Sequence, residues 1–189
     1  MERPAALAAA LVATLALALP AWAQKVKLAT SMGDIVIELA PDKAPKTAAN
    51  FVQYVKSGHY DGLVFHRVID GFMIQGGGFN AEMQEKPTLS PIPLESRNGL
   101  SNRRGSVAMA RTNIPDSATA QFFINVADNA RLDARNSPDG NGYAVFGQVV
   151  EGMDVVDRIK TVPVGNRAGH QNVPQKPVII NQASLIQEK

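Results

Sequence analysis

The side chains with the most distinctive chemistry lie close together in one stretch of the sequence, Leu63 to Phe79. Its first strand-like run places Arg67 between apolar residues, so this cation faces either solvent or a ligand. The second run contains Phe72, Met73 and Gln75 and ends in three consecutive glycines, which allow the backbone to turn or to approach another group closely. None of these side chains is a strong acid, base or nucleophile at neutral pH. The stretch therefore favours chemistry without a covalent step.

A guanidinium beside an apolar pocket can polarise a carbonyl group while the pocket holds a hydrophobic ring. Rotation about the peptide bond that precedes a proline needs little more, because its barrier comes from delocalisation of the amide nitrogen lone pair. Strand alternation predicts that Phe72 lies on the face opposite Met73 and Gln75. The same rule places His66 opposite Arg67, and His66 is therefore left out of the candidate catalytic group.

Three motifs, in this order, resemble those of the cyclophilins, the peptidyl-prolyl cis-trans isomerases. They are Phe65-His66-Arg67-Val68-Ile69, Gly71-Phe72-Met73-Ile74-Gln75-Gly76-Gly77 and Gln121-Phe122-Phe123-Ile124. Three motifs with the spacing of one family are a far more specific signal than a single short pattern. The resemblance extends over nearly the whole chain after its first 23 residues. It implies a mainly β fold, a closed antiparallel barrel of eight strands with one α-helix over each end.

The resemblance also implies the residues of an active site for X-Pro bonds. The catalytic residues would be Arg67, Phe72 and Gln75, and the substrate-binding residues would be Met73, Ala110, Gln121, Phe123, Leu132 and Tyr143. The proline ring would be held by Phe72, Met73, Phe123 and Leu132. The amides of Gln75 and Gln121 would grip the peptide backbone, and Ala110 would form a small wall. Outside this family context, the apolar members would be interpreted as core residues.

Three positions depart from the family pattern. Arg131 stands where many eukaryotic cyclophilins have a tryptophan that contacts cyclosporin, and Tyr143 stands where a site histidine is common. Arg111 replaces the asparagine that commonly follows the alanine. We therefore expect isomerase activity with weak cyclosporin binding and an altered peptide preference.

The amino-terminal segment, Met1 to Ala23, has the pattern of a cleaved signal peptide. A basic residue precedes an apolar run from Ala5 to Leu19, and Ala21-Trp22-Ala23 is a typical cleavage sequence. The run is shorter than the roughly 20 residues that a membrane-spanning helix needs, so we expect no membrane insertion after the leader is removed. Residues 24–189 would then form a single isomerase domain in a Gram-negative periplasm, with secretion as the open alternative.

The composition argues against several other functions. The chain has no cysteine, which excludes disulfides, and its net charge of +2 without a dense basic run argues against nucleic-acid binding. His59, His66 and His170 lack the spacing of zinc ligands, and we expect neither a metal nor a cofactor. The expected partners are proline-containing polypeptides, bound by a monomer. A proline-binding or chaperone module without catalysis is the second hypothesis, although such a module would need the apolar pocket but not Arg67.

Periodicity predicts the elements that would carry these residues. Strands are expected over 25–30, 35–39, 63–69, 72–75, 105–110, 121–126, 143–149 and 178–186, and helices over 45–58 and 152–160. The segment 80–104 has no sustained period, and a loop of this length is usually functional or held by contacts. Many short strands with two helices indicate an antiparallel barrel or sandwich, but periodicity alone gives no strand count.

Overall fold

The computed structural model describes residues 24–186, and most of its strands form one curled antiparallel sheet. In chain order the sheet strands are β1 (Lys25–Thr30), β2 (Gly33–Leu39), β3 (Leu63–Ile69), β4 (Met73–Asn80), β5 (Ser106–Met109), β6 (Phe122–Asn125), β7 (Val145–Glu151) and β10 (Ile180–Ile186). Across the sheet they run in the order β10-β1-β2-β7-β5-β6-β4-β3. Two further strands, β8 (Val164–Arg167) and β9 (His170–Pro174), form a separate hairpin. The helices are α1 (Pro45–Lys56) and α2 (Met153–Lys160).

The two edge strands of the sheet, β3 and β10, approach each other where the sheet curls round. An isolated bridge joins Val64 to Ile179, and Phe65 N donates to Val178 O (3.0 Å). Gly62 N also donates to Ile180 O (2.8 Å). The predicted mainly β fold with eight antiparallel strands and two helices is confirmed, but this seam lacks a continuous ladder, so the barrel is not strictly closed.

The interior of the curled sheet holds the main core, and α1 contributes its apolar stripe to it. Ala48, Phe51, Val52 and Val55 are all buried, as the helical spacing predicts. Phe51 packs against the rings of Tyr60, Phe122 and Phe146 at centroid separations of 5.2, 5.4 and 5.0 Å. Aromatic pairs at these distances add specific contacts to the burial of apolar area.

The long segment 80–104 is held against the body of the protein at several points. Glu95 caps the start of α1, because its Oε2 accepts from Thr47 N (2.8 Å) and from Thr47 Oγ1 (2.7 Å). Ile92 N donates to Ala118 O (2.9 Å), and the two residues form an isolated bridge. Backbone donors in the first turn of a helix have no partner within the helix, so Glu95 joins the loop to α1.

A second apolar cluster lies apart from the main core. Its buried members are Met73, Ala108, Phe123 and Val145, and Phe72, Ala110, Leu132 and Tyr143 pack against it. Neighbouring residues on the same strands, such as Ile74 and Ile124, belong to the main core instead. Because successive side chains of a strand point to opposite faces, this second cluster lies on the outer face of the curled sheet.

Some sequence predictions fall outside the described residues or need correction. The predicted leader, Met1 to Ala23, lies outside residues 24–186. Within that range, no helix is long and apolar enough to cross a membrane. The hairpin β8–β9 was not predicted. Its two-residue turn, Ala168-Gly169, has positive φ at both positions (49° and 80°), which is the pattern of a type I′ turn. An alanine is unusual at the first position, and this hides the turn in the sequence.

Candidate active site

The three residues Arg67, Gln75 and Phe123 lie in one row across three neighbouring strands. Arg67 on β3 pairs with Gln75 on β4, and Gln75 pairs with Phe123 on β6. Directly paired residues present their side chains on the same face of a sheet. The strand register therefore brings together a guanidinium, an amide and a phenyl ring that are far apart in the sequence.

Hydrogen bonds align the polar part of this row. Arg67 Nη1 donates to Gln75 Oε1 (3.4 Å), and Gln75 Nε2 donates to Gln121 Oε1 (3.0 Å). Gly78 makes room for the second amide, because a Cβ at that position would lie 2.6 Å from the Gln121 side chain. The glycine run is therefore part of β4, where it permits close approach rather than a turn.

All nine residues predicted from the family resemblance line one cleft of about 550 Å³, a volume within the range of ligand-binding pockets. They are Arg67, Phe72, Met73, Gln75, Ala110, Gln121, Phe123, Leu132 and Tyr143. Met73 and Phe123 are buried, and the ring of Tyr143 meets that of Phe123 edge to face with 5.6 Å between centroids. The geometry thus joins an apolar pocket to a polar row, while the catalytic and binding roles of the individual residues remain predictions.

His66 lines the same cleft as Arg67, so the prediction that the two face opposite ways is wrong. The cause is a β-bulge in β3. Phe65 pairs with Gly76 and Arg67 pairs with Gln75, so two steps along β3 match one step along β4. Phe65 and Val68 keep their places in the main core, and the extra residue allows both His66 and Arg67 to reach the outer face.

Phe72 also departs from simple alternation. It precedes β4 and lies in the turn after Ile69, whose carbonyl accepts from Phe72 N (3.1 Å). Because Phe72 is not part of the strand ladder, it lines the cleft together with Met73 instead of lying opposite it. The family motif placed Phe72 in the site, whereas the strand rule alone pointed the wrong way.

His66 is uncharged at neutral pH. Only 4% of its surface is exposed, and burial, helped by the charge of nearby His170, lowers its pKa to about 4. Its Nδ1 has no hydrogen-bond partner within the described part of the chain. The ring lies 4.7 Å from that of Phe79, and Phe79 lies 4.9 Å from the ring of His170.

The unpredicted hairpin β8–β9 forms one wall of the cleft. Its residues 169–172 line the cleft together with His66 and Phe79. Arg167 pairs with His170 across the turn, and β9 packs beside β3. The cleft therefore runs from this hairpin, over the polar row, to the apolar pocket. Sequence reasoning missed the hairpin wall because its contacts to β3 join segments about a hundred residues apart.

Buried polar side chains form a connected group beside the apolar pocket. Its members are Asn102, Asn125, Asn129 and Asp133. Asn129 Nδ2 donates to Phe72 O and to Asn125 Oδ1, both at 2.8 Å. Asn125 Nδ2 donates to Asn102 Oδ1 (3.2 Å), and Asn102 Nδ2 donates to Asp133 Oδ1 (3.0 Å) and Tyr143 O (3.4 Å). The group therefore connects the backbone of two pocket residues. No sequence motif indicated it.

Arg111 supports the ring of Tyr143. Its side chain is only 3% exposed, and its Nε donates to Gly142 O (2.8 Å) while its Nη2 forms an ion pair with Asp139. Its guanidinium carbon lies 4.7 Å from the centroid of the Tyr143 ring. Hydrogen bonds from the backbone of Asn141 and from Arg111 hold the pKa of Asp139 well below its usual range. Two of the three positions that depart from the family pattern, Arg111 and Tyr143, therefore pack against each other.

Arg67 supplies the unpaired positive charge of the cleft. Among residues 24–186 the cleft lining contains Arg67 and Arg111 but no Asp or Glu, and Arg111 is already paired with Asp139. Within residues 24–186 Arg67 makes one hydrogen bond, to Gln75, and forms no ion pair, so most of its N–H donors are available to a ligand. No group of three or more His, Asp or Glu side chains in the same range is arranged to hold a metal ion.

The curled antiparallel sheet thus carries an arginine, two glutamines and an apolar pocket on its outer face, and comparison with known proteins identifies the family. Residues 25–185 match the family model described as cyclophilin type peptidyl-prolyl cis-trans isomerase/CLD. The chain belongs to this family, and its enzyme class is that of the peptidyl-prolyl isomerases.

Similar proteins carry the same description. The chain is 60% identical over 162 residues to peptidyl-prolyl cis-trans isomerase cyp18 of Streptomyces antibioticus, covering 85% of this chain and 98% of the relative. It is 55% identical over 157 residues to peptidyl-prolyl cis-trans isomerase B of Escherichia coli strain K12, covering 82% and 96%. A similar solved structure is a Cryptosporidium parvum cyclophilin in the presence of the dipeptide Ala-Pro, with a TM-score of 0.72, 26% identity and coverage of 87% and 100%.

Proposed function

We propose that Arg67 is the group that accelerates rotation in this isomerase, and that its substrates are X-Pro segments of exported polypeptides. The role of Arg67 is supported by the row that it forms with Gln75 and Phe123 across β3, β4 and β6. Arg67, which has no ion-pair partner among residues 24–186, thereby lies next to an apolar pocket of the kind that can hold a pyrrolidine ring.

The row suits the chemistry of the X-Pro bond. Rotation has a barrier of about 18–20 kcal/mol because the nitrogen lone pair is delocalised into the carbonyl. A donor on Arg67 that approaches the proline nitrogen gains strength as this nitrogen becomes pyramidal, so it stabilises the twisted state more than the planar one. The amides of Gln75 and Gln121, already joined to each other, offer donors and acceptors to the peptide backbone.

Arg67 alone does not supply the whole rate enhancement. One charge-assisted hydrogen bond contributes about 1.5–3 kcal/mol, whereas a roughly 10⁵-fold acceleration requires about 7 kcal/mol. The remainder comes from holding the proline ring against Phe72, Met73, Phe123 and Leu132 while the flanking backbone is fixed by the amides. Binding and rate are therefore expected to depend on different residues.

The test is to measure the exchange rate and the affinity for one short Ala-Pro peptide in the same samples. We expect Arg67→Ala to slow exchange about 10- to 150-fold, the value of one charge-assisted hydrogen bond, with little change in Kd. Arg67→Lys keeps the charge but not the planar fork, and it should recover part of the rate. If Arg67→Ala exchanges the peptide as fast as the wild-type protein, the assignment of Arg67 is wrong.

The same experiment separates catalysis from simple binding. A proline-binding module would use the apolar pocket without needing Arg67. In that case the wild-type protein and Arg67→Ala would both bind the peptide, and neither would accelerate its exchange.

The sequence of the first 23 residues supports the export part of the proposal. We place the mature protein, a monomer, in the periplasm, where newly exported chains present unfolded X-Pro segments. Cell fractionation followed by amino-terminal sequencing should find it there, starting at Gln24. Recovery of the uncleaved chain from the cytosol would contradict this.

Weak cyclosporin binding follows from Arg131, whose guanidinium lies over the ring of Phe72. A charged, flexible side chain replaces the flat apolar contact that a tryptophan would offer at this position. An inhibition assay should therefore show that cyclosporin is a poor inhibitor, and tight inhibition would contradict the prediction.

A further inference from the structure

Arg131 holds a positive charge at the edge of the apolar pocket. Its guanidinium carbon lies 4.8 Å from the centroid of the Phe72 ring, a distance that gives a cation–π contact. Phe72 lines the cleft, and so does Leu132, the residue that follows Arg131. Arg131 is exposed, and it forms no ion pair with any residue from 24 to 186.

The carboxylates of the surrounding loops already have partners. Asp133 accepts from Ser101 Oγ (2.5 Å) and from Asn102 N (2.7 Å). Asp139 pairs with Arg111, and Asp128 accepts from Arg104 N (2.9 Å). Asp128 and Asp133 keep their negative charges, but no carboxylate between residues 24 and 186 lies within ion-pair distance of Arg67 or Arg131. An approaching peptide therefore meets a positive field on the polar row and at the pocket edge.

We propose that Arg131 forms a subsite for a carboxylate side chain that flanks the X-Pro pair, so that this isomerase prefers acidic X-Pro segments. The inference rests on the isomerase function described above. The contact with Phe72 restrains the guanidinium before the substrate arrives, and less conformational entropy is lost when a carboxylate binds. The planar fork of donors also matches the two oxygens of a carboxylate.

The size of the effect is that of an exposed ion pair. Such pairs contribute about 0.2–1 kcal/mol, which corresponds to a factor of about 1.4 to 5 in kcat/KM. The test measures kcat/KM for three peptides that differ only in a Glu, Gln or Lys next to the X-Pro pair. The variable residue is placed first before the pair and then, in a second set, after it. We expect kcat/KM to fall about threefold from Glu to Gln and again from Gln to Lys on at least one side. Salt near 1 M, where the Debye length is about 3 Å, should remove most of the difference.

Variants at Arg131 test whether this residue is responsible. Arg131→Gln should lower the Glu-to-Lys ratio about threefold or more, towards the value that Arg67 alone sets, and Arg131→Glu should lower it further. The matched control is Arg135→Gln, because Arg135 is an exposed arginine on the same loop, whereas only Arg131, of the two, lies over the Phe72 ring. The control should keep the wild-type ratio.

The outcomes separate this inference from the function on which it rests. If the Gln peptide is not isomerised at all, the isomerase function fails. If all three peptides are isomerised at equal rates, or if Arg131→Gln keeps the wild-type ratio, the carboxylate subsite is overturned while the isomerase function stands.

Discussion

Asn129 donates a hydrogen bond from Nδ2 to the backbone carbonyl of Phe72 at 2.8 Å, across 57 positions of the sequence. The same carbonyl also accepts from Val126 N (3.0 Å). Phe72 lies outside the strand ladder, so these two bonds fix the backbone that carries one wall of the proline pocket. The buried amide of Asn129 is therefore a positioning group for Phe72 and does not line the cleft itself.

Replacing Asn129 with alanine should affect substrate binding as well as stability. The change leaves buried acceptors on Asn125 and Phe72 with fewer partners, which is expected to cost about 1–3 kcal/mol of unfolding free energy. We expect KM for an Ala-Pro peptide to rise severalfold because Phe72 is less well held, with a smaller change in kcat. Urea unfolding and steady-state kinetics well below the unfolding temperature measure the two effects.

Thr30→Val is the control for Asn129→Ala. Thr30 is buried and donates from Oγ1 to Gly33 O (2.6 Å) at the β1–β2 turn, and it does not line the cleft. Loss of this hydrogen bond should lower the free energy of unfolding without changing KM. If Asn129→Ala behaves in the same way as Thr30→Val, Asn129 has only a structural role.

Gly78→Ala should disturb the amide row without touching Arg67. The new Cβ would lie 2.6 Å from the Gln121 side chain, so this amide must move away from Gln75. We expect kcat/KM to fall by about tenfold, the effect of one misaligned hydrogen bond of roughly 1.4 kcal/mol. Gly165→Ala is the matched control, because a Cβ there meets nothing closer than 3.9 Å. Equal activities of the two variants would show that the position of Gln121 is unimportant.

His66 should make the protein less stable in mild acid. Its pKa in the folded protein is about 4 against a usual value of 6.5, mainly because of burial, so between these values the unfolded chain binds more protons than the folded one. The free energy of unfolding is therefore not reduced by His66 above pH 6.5. It falls as the pH drops towards 4, and His66 accounts for up to roughly 3 kcal/mol of this loss.

The His66→Gln variant isolates this effect. Glutamine does not titrate, so urea unfolding at pH 7.5 and at pH 4.5 should show a smaller loss of stability in the variant. Burial also lowers the pKa of His59, but His59 is present in both proteins and its effect cancels in the comparison. An identical loss of stability in the two proteins would mean that protonation of His66 does not reduce the free energy of unfolding.

Arg111→Ala should weaken substrate binding through Tyr143. It removes the guanidinium over the Tyr143 ring, the hydrogen bond to Gly142 O and the ion pair with Asp139. We expect a higher KM and a loss of about 1.5–3 kcal/mol of stability, because the hydrogen bonds involve a charged and buried group. Proteolysis should become faster within residues 137–142, and an unchanged cleavage pattern would contradict the proposed support.

The sequence by itself determined the family, most of the strands and helices, and the set of residues predicted for the site. Helix α1 shows why this was accessible, since its buried stripe follows from helical spacing alone. The nine residues predicted for the site, which line one cleft, belong to three local motifs or follow them at family-like spacing. Local patterns of this kind can be recognised from the sequence alone.

The tertiary structure decided the features that depend on long-range pairing. Alternation failed at His66 because a bulge, which exists only between two paired strands, turns this residue to the outer face beside Arg67. The hairpin wall, the bond from Asn129 to Phe72 and the position of Arg131 over the same ring each join segments that are distant in the chain. No periodicity records such contacts, because they depend on how the curled sheet brings separate loops to one edge of the cleft.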